Sequence, residues 1–141
     1  ANITNLFRNR EISYRQFTDS PLTHFNSLNS SKIDEEFMER LHGIVMKHMA
    51  EQDLSIETLT SLIGTSKSTL YRKVKANTGL NINEYIRLSR LKQAAEMLSS
   101  QKYRINEVAY MVGFSSPSYF ATSFQKQFSI SPSAFVKNLK E

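Results

Sequence analysis

The sequence contains no cysteine, and this absence excludes two classes of small protein. Without thiols the chain forms neither a disulfide scaffold nor a zinc site with thiolate ligands. No apolar run approaches the roughly 18 to 20 residues that a membrane-spanning helix requires. We therefore expect a segment that makes no membrane contact and works in a reducing compartment, the cytoplasm.

Residue patterns of common catalytic and metal sites are also missing. His42 and His48 lie six residues apart, which does not match the i, i+4 spacing of helical metal ligands. Glu35 and Glu36 are neighbours and would point to different faces of a helix. The sequence has no Ser, His and acid set and no glycine-rich phosphate loop. It predicts no catalytic residue, no metal ligand and no cofactor.

Acidic residues are absent from Thr58 through Asn83. Four basic residues fall inside that stretch: Lys67, Arg72, Lys73 and Lys75. The chain has a net charge of +5, whereas residues 1–50 contain equal numbers of basic and acidic side chains. The positive charge therefore lies in the C-terminal two thirds, which a polyanion could approach.

The stretch from about 54 to 79 has the pattern of two helices joined by a tight turn. Ser55 and Ser66 are placed as N-caps, and Gly64 can adopt the positive φ that ends the first helix. Helical spacing predicts these inward residues: Leu59, Leu62, Ile63, Leu70 and Val74. It turns these residues of the second helix outward: Ser68, Tyr71, Arg72 and Lys75. A DNA major groove admits one such helix.

Two further helices flank this pair. An apolar stripe from Ile33 to His48 predicts an amphipathic helix that packs on the pair. Asn81 and Glu84 form a capping-box pattern at the start of a helix over about 82–99. At 1.5 Å per residue that helix spans about 27 Å, so we interpret it as a rigid spacer.

The helix-turn-helix pattern then occurs a second time, over about 105–128. Ile56 and Gly64 recur 49 residues later, and Leu70 and Val74 recur 50 residues later as Phe120 and Phe124. Ser116 is placed as N-cap with Pro117 after it, and Phe128 continues the inward face. A closing helix follows over about 132–139. A repeat that keeps glycine, caps and core positions together is strong evidence for two related units.

These residues resemble the DNA-binding domain of the AraC/XylS family of bacterial transcription regulators. The resemblance covers about residues 33–139 and is carried by Gly64–Arg72, by Glu84–Ala95, and by EVAYMVGFSSPSYF with Phe124–Phe128. It implies an all-α fold of about seven helices, with two helix-turn-helix subdomains joined by a long linker helix. The second helix of each subdomain would enter one of two adjacent major grooves.

The resemblance, with the outward faces, yields two sets of candidate DNA-contacting residues. The base-reading candidates are Ser68, Tyr71, Arg72, Ser118 and Thr122. The phosphate-contacting candidates are Lys67, Lys75, Ser116, Gln125 and Lys126. Thr122 stands where many family members have a base-reading Arg, so the first unit is predicted to dominate affinity. Arg87 and Arg90 are at least as compatible with a structural role.

The N-terminal segment is predicted to precede this domain. Residues 3–17 could form a short helix, and residues 18–31 have the composition of a linker. Because Ala1 is not an initiator Met, we expect residues 1–31 to connect an upstream domain, such as a receiver, to the DNA-binding domain at 32–141. The segment resembles the corresponding part of two-component regulators, including hybrid histidine kinases.

The resemblance also implies the partners of the whole protein. They are double-stranded operator or promoter DNA, RNA polymerase and an upstream regulatory domain in the same chain, and a homodimer of the full-length protein is compatible with it. Activation is more usual than repression in the family. The alternative interpretation is an all-helical interaction module that docks on an acidic partner protein, although it does not explain why polar outward faces recur in both copies.

Overall fold

The computed structural model describes residues 32–52 and 54–139, and these form seven α-helices and no strand. The helices are α1 Lys32–Lys47, α2 Ile56–Ile63, α3 Lys67–Thr78, α4 Ile82–Ser99, α5 Ile105–Met111, α6 Pro117–Phe128 and α7 Pro132–Leu139. The predicted all-α class and the predicted helix-turn-helix pairs are confirmed. The helix and linker predicted within residues 1–31 lie outside the described residues.

The described chain divides into two compact units, and the division falls between Ser89 and Arg90 inside α4. The first unit contains α1, α2, α3 and the first half of α4. The second contains the rest of α4 with α5, α6 and α7. Each unit therefore has one helix-turn-helix pair and its own share of the long helix.

The turn of the first pair forms as its residue types predict. Ser55 Oγ accepts the N–H of Thr58 at 3.1 Å, and Ser66 Oγ accepts the N–H of Thr69 at 3.2 Å. Gly64 has a φ of +79°, a left-handed conformation that L side chains rarely adopt. The caps satisfy orphan amides at both helix starts, and the glycine ends α2 sharply.

The core of the first unit is built where α1, α2 and α3 meet. Its fully buried side chains in these helices include Met38, Leu41, Val45, Leu59, Leu70 and Val74. The predictions for Leu62 and Ile33 are wrong, because these side chains are 45% and 71% exposed. The Arg40 guanidinium donates to the backbone oxygen of Ile63 at 3.0 Å, which ties α1 to the end of α2.

The long helix α4 begins with the predicted capping box. The N–H of Glu84 donates to Asn81 Oδ1 at 2.9 Å, and the N–H of Asn81 donates to the Glu84 carboxylate at 3.4 Å. Buried residues follow along the whole helix: Ile82, Tyr85, Ile86, Leu91, Ala94, Ala95 and Leu98. Both units therefore draw core residues from α4.

Phenylalanines dominate the core of the second unit. Phe120, Phe124 and Phe128 are buried along the inner face of α6, as predicted. Ring centroids of Phe120 and Phe124 lie 5.7 Å apart, and those of Phe124 and Phe135 lie 5.5 Å apart, both in edge-to-face geometry. Aromatic pairs at these separations stabilise a core beyond the effect of area burial alone.

Candidate nucleic-acid interface

The outer face of α3 carries the candidates predicted for the first unit. Ser68, Tyr71, Arg72 and Lys75 are all exposed, while Leu70 and Val74 on the opposite face are buried. Tyr71 is a large aromatic that remains 46% exposed. The structure thus places the predicted base-reading side chains of this unit on one accessible helix face.

Lys67, at the start of α3, has an acidic neighbour that the sequence stretch without acids conceals. Its Nζ lies 2.6 Å from the carboxylate of Glu57 on α2. The hydrogen bond from Lys67 lowers the pKa of the Glu57 carboxyl, and the same contact raises the pKa of the Lys67 ammonium. Glu57 immediately precedes the acid-free stretch, and the fold brings its carboxylate to Lys67 at the start of α3.

Lys73 contacts side chains of the neighbouring helix α1. It is half-buried, its Nζ lies 3.7 Å from the Asp34 carboxylate, and the same atom sits 4.6 Å from the centre of the Phe37 ring. Both partners belong to α1. Lys73 therefore connects α3 to α1 and adds little to the outward charge.

Lys75 and Tyr71 line a shallow hollow of about 390 Å³. The start of α4 supplies the other lining residues: Asn81, Ile82 and Asn83. Lys75 Nζ donates to the backbone oxygen of Gly79 at 3.0 Å, an exposed contact within its own helix end. Lys75 therefore places a cation beside the outward face of α3.

The outer face of α6 carries the candidates of the second unit. Ser118, Thr122, Gln125 and Lys126 are exposed. Ser116 is half-buried, and its Oγ accepts the N–H of Tyr119 at 3.1 Å as an N-cap. Thr122 Oγ1 donates to the backbone oxygen of Ser118 at 3.0 Å, so its hydroxyl hydrogen is already used within the helix. This face has fewer charged groups than the face of α3.

Tyr119 is an exposed aromatic that sequence reasoning missed. It lies on α6 next to Ser118, is 54% exposed, and rests edge-to-face on Phe114 at 5.5 Å. The signal in the sequence was a large amphipathic side chain placed in the first turn of the helix predicted after Ser116. Burial lowers the pKa of the Arg90 guanidinium on α4, and Tyr119 offsets part of that shift. Arg90 is thus near α6, which agrees with a structural role.

The described residues have no cluster of three or more His, Cys, Asp or Glu side chains suited to a metal ion. None of the helices that the structure describes is both long enough and apolar enough to cross a membrane. The candidate residues in this part of the chain expose hydroxyl, amide, aromatic and cationic side chains.

Comparisons with known proteins agree with this chemistry. Residues 59–138 match the family model described as a helix-turn-helix domain. The chain is 34% identical over 139 residues to histidine kinase P4 of Formosa agariphila. That match covers 99% of this chain and 10% of that protein. It is 35% identical over 95 residues to the HTH-type transcriptional activator RhaS of Enterobacter sp. (strain 638), covering 67% of this chain and 34% of that protein.

Among solved structures, the C-terminal domain of AraT, a response regulator from Geobacillus stearothermophilus, is similar to this chain. The TM-score is 0.65 at 28% identity, and the match covers 77% of this chain and 87% of that one. The chain therefore corresponds to nearly all of a solved C-terminal domain, but to only a tenth and a third of the two full-length relatives.

Proposed function

Because the chain belongs to the AraC-type helix-turn-helix family of DNA-binding transcription regulators, we propose that it binds duplex DNA sequence-specifically through the outward faces of α3 and α6. The observation that carries the proposal is that α3 and α6 are each divided into an exposed face and a buried face, at equivalent positions. Positions 68, 72 and 75 and their counterparts at 118, 122 and 125 are exposed, while Leu70, Val74 and their counterparts Phe120 and Phe124 are buried. Each helix thus has one face for its core and one for a groove.

Base reading is assigned to five side chains on the outward faces, from the first turn to the middle of each helix: Ser68, Tyr71, Arg72, Ser118 and Thr122. Arg72 is the strongest of them, since a guanidinium can donate two parallel hydrogen bonds to O6 and N7 of guanine. Phosphate contacts are assigned to side chains toward the ends of the helices: Lys67, Lys75, Ser116, Gln125 and Lys126. These contacts would position the helices without reading sequence.

The two units contribute unequally in this proposal. Lys67, Arg72 and Lys75 give α3 three exposed cations, of which Lys67 is paired with Glu57, while α6 offers Lys126 alone among its exposed residues. Thr122 cannot form a guanine fork, and its hydroxyl already donates within the helix. We therefore assign most of the affinity to the first unit.

The role of the whole protein follows by similarity. A histidine kinase and a response regulator among the similar proteins support an output domain of a two-component system, with residues 1–31 joining it to an upstream regulatory domain. Similarity to an activator supports activation through RNA polymerase at a promoter. Such a protein would act in the cytoplasm, and a full-length homodimer would place two of these domains on one operator. No catalytic role is assigned to this domain.

Selection of bound sequences from a random duplex pool, followed by hydroxyl-radical footprinting, tests the proposal. Two protected major-groove segments about one helical turn, roughly 10 base pairs, apart are expected. Protection of a single groove, with residues 100–141 dispensable for it, would contradict the use of both helices.

Salt dependence separates the proposal from an interaction module that docks on an acidic protein. Duplex affinity should fall steeply with salt, because phosphate contacts release counterions. A flat response over about 50 to 300 mM salt would remove the support for DNA as the ligand.

A further inference from the structure

The ion pair between Glu57 and Lys67 lies at the end of the outward face of α3. Lys67 is the first residue of that helix, and Glu57 belongs to the first turn of α2. Their side chains are 54% exposed for Lys67 and 69% exposed for Glu57, and Nζ and Oε1 are 2.6 Å apart. The pair is therefore open to solvent and to anything that approaches the start of α3.

The position of Lys67 explains why the pair forms. A cation in the first turn of a helix is disfavoured by the positive end of the helix dipole, and α3 has no acidic residue in its own first turn. Glu57 supplies the missing negative charge from the neighbouring helix. Its own position in the first turn of α2 is favourable for the same reason.

A DNA phosphate that approached Lys67 would have to compete with this carboxylate. The phosphate would displace Glu57 from Nζ and then lie within a few ångströms of a second negative charge, since Glu57 is held nearby by α2. Lys67 and Glu57 together carry no net charge. Binding of a phosphate at this pair should therefore release few counterions from the DNA, whereas binding at a lone lysine would release more.

We propose that Glu57 limits the affinity for DNA by competing with phosphate for the ammonium of Lys67, so that the phosphate contact of Lys67 is weaker than that of an unpaired lysine. The inference rests on the proposed function, because it concerns the backbone of a duplex bound by α3. Glu57 acts through Lys67 and touches no base, so it sets the strength and the salt sensitivity of binding. Sequence reading is left to the exposed residues farther along the helix.

The test compares wild type with Glu57→Gln, Lys67→Ala and the double variant by fluorescence anisotropy on one labelled duplex across salt concentrations. Glu57→Gln should bind about 5- to 10-fold more tightly near 0.1 M salt, and its slope of log affinity against log salt should be steeper by up to about 0.9, the value for one full phosphate contact. With Lys67 replaced by Ala, the same substitution should give less than half of that gain.

Glu39→Gln is the matched control. Glu39 is exposed on α1 of the same unit, and the substitution changes the net charge by the same amount. It should leave affinity and slope close to wild type. Circular dichroism and thermal unfolding confirm that each variant is folded, and Glu57→Ala replaces Glu57→Gln if the latter is unstable.

The outcomes are distinct. If wild type binds duplex DNA but Glu57→Gln matches it, or if the gain is equal with and without Lys67, the proposed role of Glu57 is overturned. If wild type itself shows no salt-dependent duplex binding, the proposed function fails instead. A gain that needs Lys67 and is absent from Glu39→Gln supports the role of Glu57.

Discussion

Lys73 of α3 lies 3.7 Å from the carboxylate of Asp34 on α1, so one of the four cations counted in the acid-free stretch is committed to an interhelical contact. The same ammonium lies 4.6 Å from the centre of the Phe37 ring. Both side chains of the ion pair are only about a quarter to a third exposed, which reduces screening by solvent. The number of cations on α3 is therefore no direct measure of the charge that α3 can present to DNA.

Replacing Lys73 with Ala should lower stability more than DNA affinity. The ion pair and the cation–π contact together support an expected loss of about 1 kcal/mol in the free energy of unfolding. Urea unfolding and duplex binding measure the two effects. Lys75→Ala is the matched control and should show the reverse, a larger loss of affinity than of stability. The assignment would be wrong if both variants lost affinity equally.

Arg72→Ala should cost about 1 to 3 kcal/mol of binding free energy on the selected operator and relax discrimination at one base pair. Thr122→Ala should cost less, because the Thr122 hydroxyl donates to Ser118 within α6. Anisotropy on the operator and on single-base variants measures both effects. Equal or reversed losses in variants with unchanged circular dichroism would contradict the dominance of the first unit.

Tyr85 predicts a loss of stability in alkali. Its side chain is fully buried, and burial raises the pKa of its hydroxyl well above the ordinary value of about 10. The pKa of the Tyr85 hydroxyl is higher in the folded chain than in the unfolded chain. The contribution of Tyr85 to the free energy of unfolding is therefore complete below about pH 10 and declines as the pH rises above that value. The urea concentration at the midpoint of unfolding should therefore decrease as the pH is raised from about 9 to 11.

Tyr85→Phe should weaken that decline, since the ionising hydroxyl is gone. The substitution also removes a long contact, 3.4 Å, between the hydroxyl and Nδ1 of His42, so the cost at neutral pH should be small, below about 1 kcal/mol. Tyr110→Phe serves as the control, because Tyr110 is 49% exposed. A Tyr85→Phe profile that runs parallel to wild type would show that other groups cause the alkaline loss.

Ser129 offers a route to a more stable second unit. It ends α6 with a φ of +61°, a left-handed conformation that is costly for a residue with a Cβ atom. Ser129→Gly should raise the free energy of unfolding by up to about 1 kcal/mol, after allowing for the greater flexibility of glycine in the unfolded chain.

The first unit supplies the converse substitution. Gly79 ends α3 at the equivalent position with a φ of +75°, and a Cβ there would meet no atom within 4 Å. Gly79→Ser should therefore cost about 1 kcal/mol through the backbone alone. Thermal unfolding measures both variants. Opposite signs are expected, and a destabilising Ser129→Gly would refute the strain argument.

Local rules predicted most of the fold. Ser55, Ser66 and Ser116 cap helices as expected, because a cap depends on residues only two or three positions away. The long helix also begins and ends at the predicted residues, Ile82 and Ser99. Its capping box and its continuous apolar pattern also depend only on residues within that one segment.

Contacts between helices were less accessible to sequence reasoning. The partners of Lys67 and Lys73 lie 10 and 39 residues earlier in the chain, and no periodicity links such positions. The predicted burial of Leu62 failed for a related reason, since helical spacing defines a broad apolar face but not how much of it a neighbour covers. The outward candidates were placed correctly as exposed residues, and their roles at DNA remain predictions.

The row of phenylalanines along α6 has a consequence for how such a domain evolves. Phe120, Phe124 and Phe128 fix the helix from its inner side, so the folded shape depends little on what stands at positions 118, 122 and 125. Mutations at those exposed positions should usually change stability by less than about 0.5 kcal/mol. A lineage could therefore exchange the outward residues and acquire a new operator without first compensating for a damaged core.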